Sequence, residues 1–406
     1  MNHRRRSRKN PYDQGKQSKK PHKNPHDLLE SVNKIKERIL QYIDQGQSER
    51  AEQWLDYLRE NQRDQPKLLA KSISDLLNNI SDSEFKLQLY QEALNLNKND
   101  TVTLTSYATA LVNANQPECA FELFDKSLAI KADETVTLNS YATALANANQ
   151  PERAFELFEQ SLAIKDDETV TLNSYATALA NANQPERAFE LFEQSLAIKA
   201  DETVTLTSYA TALANSNQPE RAFELFEQSL AIKADETVTL TSYATALANA
   251  NQPERAFELF EQSLAIKADD TVTLNSYATA LANVNQSERA FELFEQSLAI
   301  KADDTVTLNS YATALANANQ PERAFELFEQ SLAIKADNTV TLTSYATALA
   351  NASQPERAFE LFDKSLAIKA DDTVTLTSYA TALANANQPE RAFELFEQSL
   401  AIKADE

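Results

Sequence analysis

Apolar residues along the chain fall on helical stripes that recur in a fixed register. Between residues 135 and 168, Leu138, Tyr141, Ala142 and Leu145 lie three and four apart, and Ala154, Phe155, Phe158 and Leu162 form a second such stripe. Each stripe predicts an amphipathic helix that buries one face. Between them stands Asn149-Gln150-Pro151-Glu152, where asparagine ends the first helix and proline, lacking an N–H, suits the first turn of the second. Glu152 and Glu156 near the start of the second helix, and Lys165 near its end, match the helix dipole. Thr135-Val136-Thr137-Leu138 alternates with period two and alone favours a strand. Followed at once by a helical stripe, it reads instead as a helix start, with Asp133 or Thr135 as the cap.

This helix pair is one copy of a 34-residue text that runs nine times from Thr101 to Glu406. Self-similarity at that period predicts a stacked solenoid, one continuous body rather than several globular domains. The second-helix pattern persists upstream in weaker form: Tyr90, Ala93 and Leu94 stand where a copy has Phe124, Ser127 and Leu128, with Leu68 to Leu77 as the preceding helix. Gln47-Ser48-Glu49-Arg50-Ala51 likewise matches Gln286-Ser287-Glu288-Arg289-Ala290, with Leu29 to Ile43 as its partner helix. Two degenerate pairs, roughly 28–66 and 67–100, are thus expected to cap the array, since terminal repeats are atypical. The resulting organisation is a basic tail over 1–26 expected to be disordered, degenerate helical repeats over 27–100, and nine regular repeats over 101–406.

Composition narrows the chemistry. Gly15 and Gly46 are the only glycines, so glycine-rich phosphate loops are excluded. A lone Cys119 supports neither a disulfide framework nor a thiolate zinc site. It replaces the arginine seen at Arg153, an outward position, and reads as a free surface thiol. All three histidines, His3, His22 and His26, fall in the tail; His22 and His26 are four apart with Pro25 between them, which disfavours a metal site. The serine-rich stretches have no base beside them, so no nucleophile is activated. Trp54 and the tyrosine column (Tyr107, Tyr141, Tyr175) fit helix packing better than a cofactor box. No catalytic residue, cofactor or metal is expected. No run is long and apolar enough to span a membrane and no apolar segment follows the basic start, so a cytoplasmic location is the expectation.

The residues resemble a known family, the tetratricopeptide repeat proteins. That unit is a 34-residue helix-turn-helix with a bulky apolar residue at position 4, an apolar-small pair at 7 and 8, bulky at 11, alanine at 20, aromatic at 24, small at 27 and proline at 32. From Thr135 this chain supplies Leu138, Tyr141-Ala142, Leu145, Ala154, Phe158 and Ser161, and all nine copies do the same. It departs at position 32, where Ala132, Ala200 or Asp166 stands in place of proline, and the second helix is expected to run longer there. The resemblance implies an all-α, right-handed superhelical α-solenoid whose first helices line a concave groove for extended peptides.

Carried over from the family, positions 2, 5, 9, 12 and 13 of the first helix face that groove. In the second copy these are Val136, Asn139, Thr143, Ala146 and Asn147. The lysine, arginine and asparagine set with which some members grip a terminal carboxylate is absent. The candidate peptide-binding residues are the amides and hydroxyls Asn139, Thr143, Asn147, Asn173, Thr177, Asn181, Asn275, Thr279, Asn283, Asn309, Thr313 and Asn317. An amide both donates and accepts, so such a column can pair with a ligand's backbone whatever its side chains. Competing with that role, asparagine at position 13 also suits helix termination. Position 5 reads T, N, N, T, T, N, N, T, T down the copies, a pattern that block duplication explains more simply than chemistry.

Charge adds a constraint on partners. Of the net −22, residues 1–26 carry +8, residues 27–100 carry −4 and the nine copies carry −26. The acids sit on the second helices and inter-repeat turns, as with Glu152, Glu156, Glu159, Asp167 and Glu168, a solvated face that would also steer basic partners. Nucleic acid would be repelled by the repeats, whereas the tail arginines and lysines could touch nucleic acid, anionic lipid or an import receptor. The tail could also fold back on the acidic repeats. The expected function is a non-enzymatic scaffold that binds a protein or peptide, basic or repetitive in sequence. The rival readings are a structural spacer or elastic solenoid, and an accessory segment of a larger enzyme. The absence of a polar capping helix after Ile402 suggests either a following domain or end-to-end self-association.

Overall fold

The computed structural model describes residues 25–77, 80 and 83–405, and every described element is an α-helix. Of the expected basic tail, residues 1–24 lie outside the described residues, and Pro25 and His26 already open the first helix. The helices group into two units divided between Ala148 and Asn149, although the 34-residue register of the sequence runs on unbroken.

The first unit holds α1 (Pro25–Asp44), α2 (Ser48–Asn61), α3 (Pro66–Leu77), α4 (Ser83–Leu96), α5 (Thr101–Asn113), α6 (Pro117–Ile130) and α7 (Thr135–Asn147). The degenerate pairs have a real core: Ile39, Leu55, Leu58, Ile73 and Leu76 are fully buried, and Trp54 and Tyr57 pack against it. Arg59 fixes α2 to α4 by a two-pronged pair with Glu92, at 2.6 and 2.8 Å, and also reaches Glu52 and Asp56. Tyr90 stacks on Tyr107 at 5.5 Å, joining the last degenerate pair to the first regular copy.

The second unit alternates second and first helices. Second helices are α8 (Pro151–Ile164), α10 (Pro185–Ile198), α12 (Pro219–Ile232), α14 (Pro253–Ile266), α16 (Ser287–Ile300), α18 (Pro321–Ile334), α20 (Pro355–Ile368) and α22 (Pro389–Asp405). First helices are α9 (Thr169–Asn181), α11 (Thr203–Asn215), α13 (Thr237–Asn249), α15 (Thr271–Asn283), α17 (Thr305–Asn317), α19 (Thr339–Asn351) and α21 (Thr373–Asn385). Each first helix packs on its own second helix and on the first helix of the next copy, so the unit is a helix-turn-helix solenoid.

The predicted stripes are the core. Leu206, Ala210, Leu213, Ala222 and Phe226 are at most 2% exposed, and the same positions are buried in each interior copy. Burying a leucine or phenylalanine side chain stabilises by about 1.5–3 kcal/mol, which no isolated helix pair could collect on both faces. The rings tie copies together. Tyr175 stacks on Phe158 of the preceding copy at 5.2 Å and tilts against Phe155 at 5.5 Å. Its hydroxyl donates to Glu159 at 2.9 Å and accepts from Arg187 at 3.0 Å.

Helix ends differ from the sequence expectation in two ways, at the first-helix cap and at the end of the second helix. The cap of each regular first helix is the residue just before Thr-Val-Thr-Leu, Glu134 rather than Asp133 or Thr135. Where that residue is shorter, its side chain reaches the backbone: Asp270 accepts from the Thr273 N–H at 3.1 Å. The first helices end at position 13, as at Asn147 and Asn181, and the left-handed closure falls on the asparagine of the following Asn-Gln-Pro turn, with φ near +59° in Asn183 and Asn217. The Asn183 N–H bonds the Ala180 carbonyl at 3.2 Å and the Gln184 N–H bonds that of Leu179 at 2.9 Å, the paired closure normally built on glycine. Gly46 makes the same closure between α1 and α2, with Gly46 N–H to Ile43 at 2.9 Å and Gln47 N–H to Tyr42 at 2.8 Å. Finally, loss of proline at position 32 does not lengthen the interior second helices: α18 stops at Ile334, with Lys335 extended at φ −136°.

Candidate functional site

Three cavities of about 350, 300 and 330 Å³ open on the first-helix side of the second unit. The first is walled by Thr211, Ala214 and Asn215 of one copy, Thr241, Ser242, Thr245 and Asn249 of the next, and Val272 and Ser276 of the third. The second repeats this arrangement two copies further on, with Thr279, Asn283, Asn309, Ser310, Thr313, Asn317 and Ser344. The third uses Thr313, Asn317, Thr343, Ser344, Thr347, Asn351, Val374 and Ser378. Each cavity therefore spans three successive first helices, with the turn and second helix of its first copy (Asn217 and Pro219, Asn285 and Ser287, Asn319 and Pro321) completing the wall.

The sequence-derived candidates divide on this map. Thr279, Asn283, Asn309, Thr313 and Asn317 line cavities. Asn173, Thr177, Asn181 and Asn275 occupy the same helix positions in the second unit, and Asn139, Thr143 and Asn147 do so in the first, but line none of the three. The position-13 asparagines Asn147, Asn181, Asn283 and Asn317 are exposed, and the chain's left-handed closure is made elsewhere, which leaves their amides free of a capping duty.

The threonines are less available than the sequence suggested. Thr143, Thr177, Thr279 and Thr313 donate their hydroxyls to the carbonyls of Asn139, Asn173, Asn275 and Asn309 at 2.8–2.9 Å. Each hydroxyl proton is spent on the helix four residues back, and only oxygen lone pairs face a ligand.

Position 5 points partly inward. The amide oxygens of Asn139, Asn173, Asn275 and Asn309 are buried without a hydrogen-bond partner. Where threonine holds the position, its hydroxyl joins a buried cluster: Thr241 meets Ser263 at 3.1 Å and Thr273 of the next copy at 2.7 Å. Thr105, Ser127 and Thr137 make the same cluster in the first unit, at 3.2 and 2.7 Å. The sequence pattern missed this cluster, because a polar residue at a helix start carries no hydrophobic period.

Two further positions on this wall lie outside the candidate peptide-binding set. Serine at position 6, seen in Ser242, Ser276, Ser310, Ser344 and Ser378, recurs on the cavity walls. Valine at position 2 stands out as a stripe: Val204, Val238, Val272, Val306, Val340 and Val374 are 61–65% exposed. No charged side chain lines any of the three cavities. Among the described residues no group of three or more His, Cys, Asp or Glu could hold a metal, and no helix is long and apolar enough to cross a membrane.

The family model for the tetratricopeptide repeat matches residues 262–337. Among solved structures, yeast Tom70 is similar over 92% of this chain and 92% of its own, at 12% identity and a TM-score of 0.53. IFIT1, as a monomeric mutant with Gppp-AAAA, overlaps 83% of this chain and 90% of its own at 16% identity and a TM-score of 0.49. YrrB, described as a TPR protein with an unusual peptide-binding site, overlaps 46% of this chain and 95% of its own at 18% identity and a TM-score of 0.32. No curated protein matches the sequence. At these identities the likeness to Tom70 is one of fold.

Proposed function

We propose, for a chain whose repeats are of the tetratricopeptide type, a non-enzymatic interaction scaffold that holds an extended peptide or protein segment along its first-helix wall. The observation that carries this reading is the recurrence of one cavity lining over successive copies. A catalytic centre needs unlike groups converging on one point, whereas identical groups repeated along a line suit a ligand that is itself linear. The lining offers amides, hydroxyl oxygens, alanine and valine, none of which is a base or an activated nucleophile at neutral pH. Its neutrality also bears on the expected basic partner: the acids stand outside the cavities, so charge would steer an encounter without supplying contacts in the groove.

Site-specific photo-crosslinking tests the reading. A photo-reactive residue replacing Ser276 on the cavity wall, or Glu258 on a second helix, is exposed to a lysate of the source cells. Protein adducts at Ser276 and not at Glu258 are expected. Adducts at Glu258 alone, or at neither position, would overturn a groove-binding scaffold in favour of an outer-face contact or a plain spacer.

A further inference from the structure

We infer that the segment held on this wall is an uncharged chain in the polyproline II conformation, advancing three residues per copy. The inference rests on the scaffold reading and narrows it to one ligand class.

Charge is the first argument. In a chain of net −22, all three cavities are walled without a single ionised group. A ligand ammonium or carboxylate entering them would lose water and gain no counter-charge, which is costly. The valine stripe rewards small apolar side chains instead, since Val272 and Val374 line cavities while remaining 65% exposed.

Period is the second. First helices of successive copies pack directly on one another, α11 on α13, α13 on α15, and onward to α21. Packed helices lie about 8–10 Å apart, so the wall repeats at that interval. A β-strand returns a side chain to the same face every two residues, about 6.6 Å, and falls out of step within two copies. A polyproline II chain has three residues per turn at about 3.1 Å each, so one face recurs about every 9.3 Å and stays in register with the helices.

Hydrogen bonding agrees. A polyproline II backbone makes no internal hydrogen bonds, which leaves its N–H and C=O groups available. Per copy, the wall presents one threonine oxygen whose proton is already committed, as with Thr245 to the Thr241 carbonyl at 2.8 Å, and one exposed asparagine amide such as Asn249. The threonine can accept one backbone N–H per turn and the amide can donate to a carbonyl. A triplet with a single N–H, such as Pro-Pro-Ala, meets this pattern once per copy.

The test is fluorescence anisotropy with the full chain and three labelled peptides of about 18 residues, long enough for about six turns. The probes are repeating Pro-Pro-Ala, repeating Pro-Pro-Lys and alternating Val-Thr. Pro-Pro-Ala is expected to bind at least about ten-fold tighter than the other two, a factor worth about 1.4 kcal/mol. The exposed double change Val272→Lys and Val306→Lys should weaken it by a similar factor with the far-ultraviolet circular dichroism unaltered. Equal or tighter binding of the Val-Thr or Pro-Pro-Lys peptide, no binding of Pro-Pro-Ala, or indifference to the valine changes would each overturn the inference. Ser276 crosslinking reads the scaffold separately: adducts there with no Pro-Pro-Ala binding would discard the ligand class and keep the groove.

Discussion

Phe226 and Tyr243 lie face to face across a copy boundary, ring centroids 5.2 Å apart and planes 17° from parallel. Tyr243 also tilts against Phe223 at 5.5 Å, and its hydroxyl bonds Glu227 at 3.0 Å and Arg255 at 3.0 Å. One tyrosine thereby joins two phenylalanines of one copy to an arginine of its own. Because each copy touches only its neighbours, cohesion of the stack is a sum of such boundaries.

Removing the ring at one boundary should therefore act locally. Phe226 is fully buried, and Phe226→Ala is expected to cost about 3–5 kcal/mol in lost contact and cavity. Native-state hydrogen exchange should show protection lost in α12 and α13 while α18 and α19 stay protected. Uniform loss along the whole unit would mean that the copies do not behave as nearest neighbours.

Asn309 offers the opposite change. Its amide oxygen is buried without a partner, at a place where Thr343 of the next copy bonds Ser365 at 3.1 Å and Thr375 at 2.6 Å. Leaving such an oxygen unpaired costs about 1–3 kcal/mol. Asn309→Thr should recreate the hydroxyl cluster with Ser331 and Thr341 and raise stability by about 1 kcal/mol or more. Thr241→Asn should lower it comparably. Urea melts of the two variants check the pair, and equal midpoints would sink the account.

These two residues also mark where the sequence stopped being informative. The stripe through Leu138, Tyr141, Ala142 and Leu145 was legible because burial of one helix face leaves a 3.6-residue period. Which way Asn309 turns its amide was not, since position 5 lies on the border between the cavity wall and the copy interface. The groove valines were placed by family resemblance alone, because an exposed apolar residue has no period of its own. The end of the second helix is the clearest case of information held elsewhere. Residues 321–337 and 389–405 are identical, yet α18 stops at Ile334 and α22 continues to Asp405. In α18 the stop accompanies a following copy, whose Thr341 meets Ser331 at 3.1 Å. The stop after Ile334 is therefore not written in residues 321–337 alone.

Alkaline pH should loosen the boundaries. Burial first, then the adjoining carboxylates, push Tyr175, Tyr209, Tyr277 and Tyr345 up to about 12. An unfolded tyrosine titrates near 10, so the folded values are raised. Their contribution is then complete below about pH 10 and is lost as pH rises through about 12. Phenolate absorbance of the folded chain should lag toward 12, with melting temperature falling over the same window. Glu193→Gln, which removes the carboxylate beside Tyr209, should bring one phenol back toward 10. A single transition near 10 in the folded chain would contradict the burial.

The left-handed closures give the last prediction. Asn217 holds φ at +59° in a body with no glycine after Gly46, and Ser353 holds the same angle in the copy that lacks asparagine there. A left-handed backbone costs an ordinary L-residue about 1–2 kcal/mol, less for asparagine, whose short amide side chain can bond locally. Asn217→Ala should therefore destabilise by about 1 kcal/mol, whereas Asn217→Gly should be close to neutral, its relief of strain offset by a looser unfolded chain. Ser353→Asn should stabilise by a fraction of that amount, about 0.5 kcal/mol. The three variants share one geometry and differ only in tolerance of positive φ, so their denaturation midpoints must rank with that tolerance. An alanine variant as stable as the parent would mean that the closure carries no strain, and that the asparagine is there for its side chain rather than its backbone.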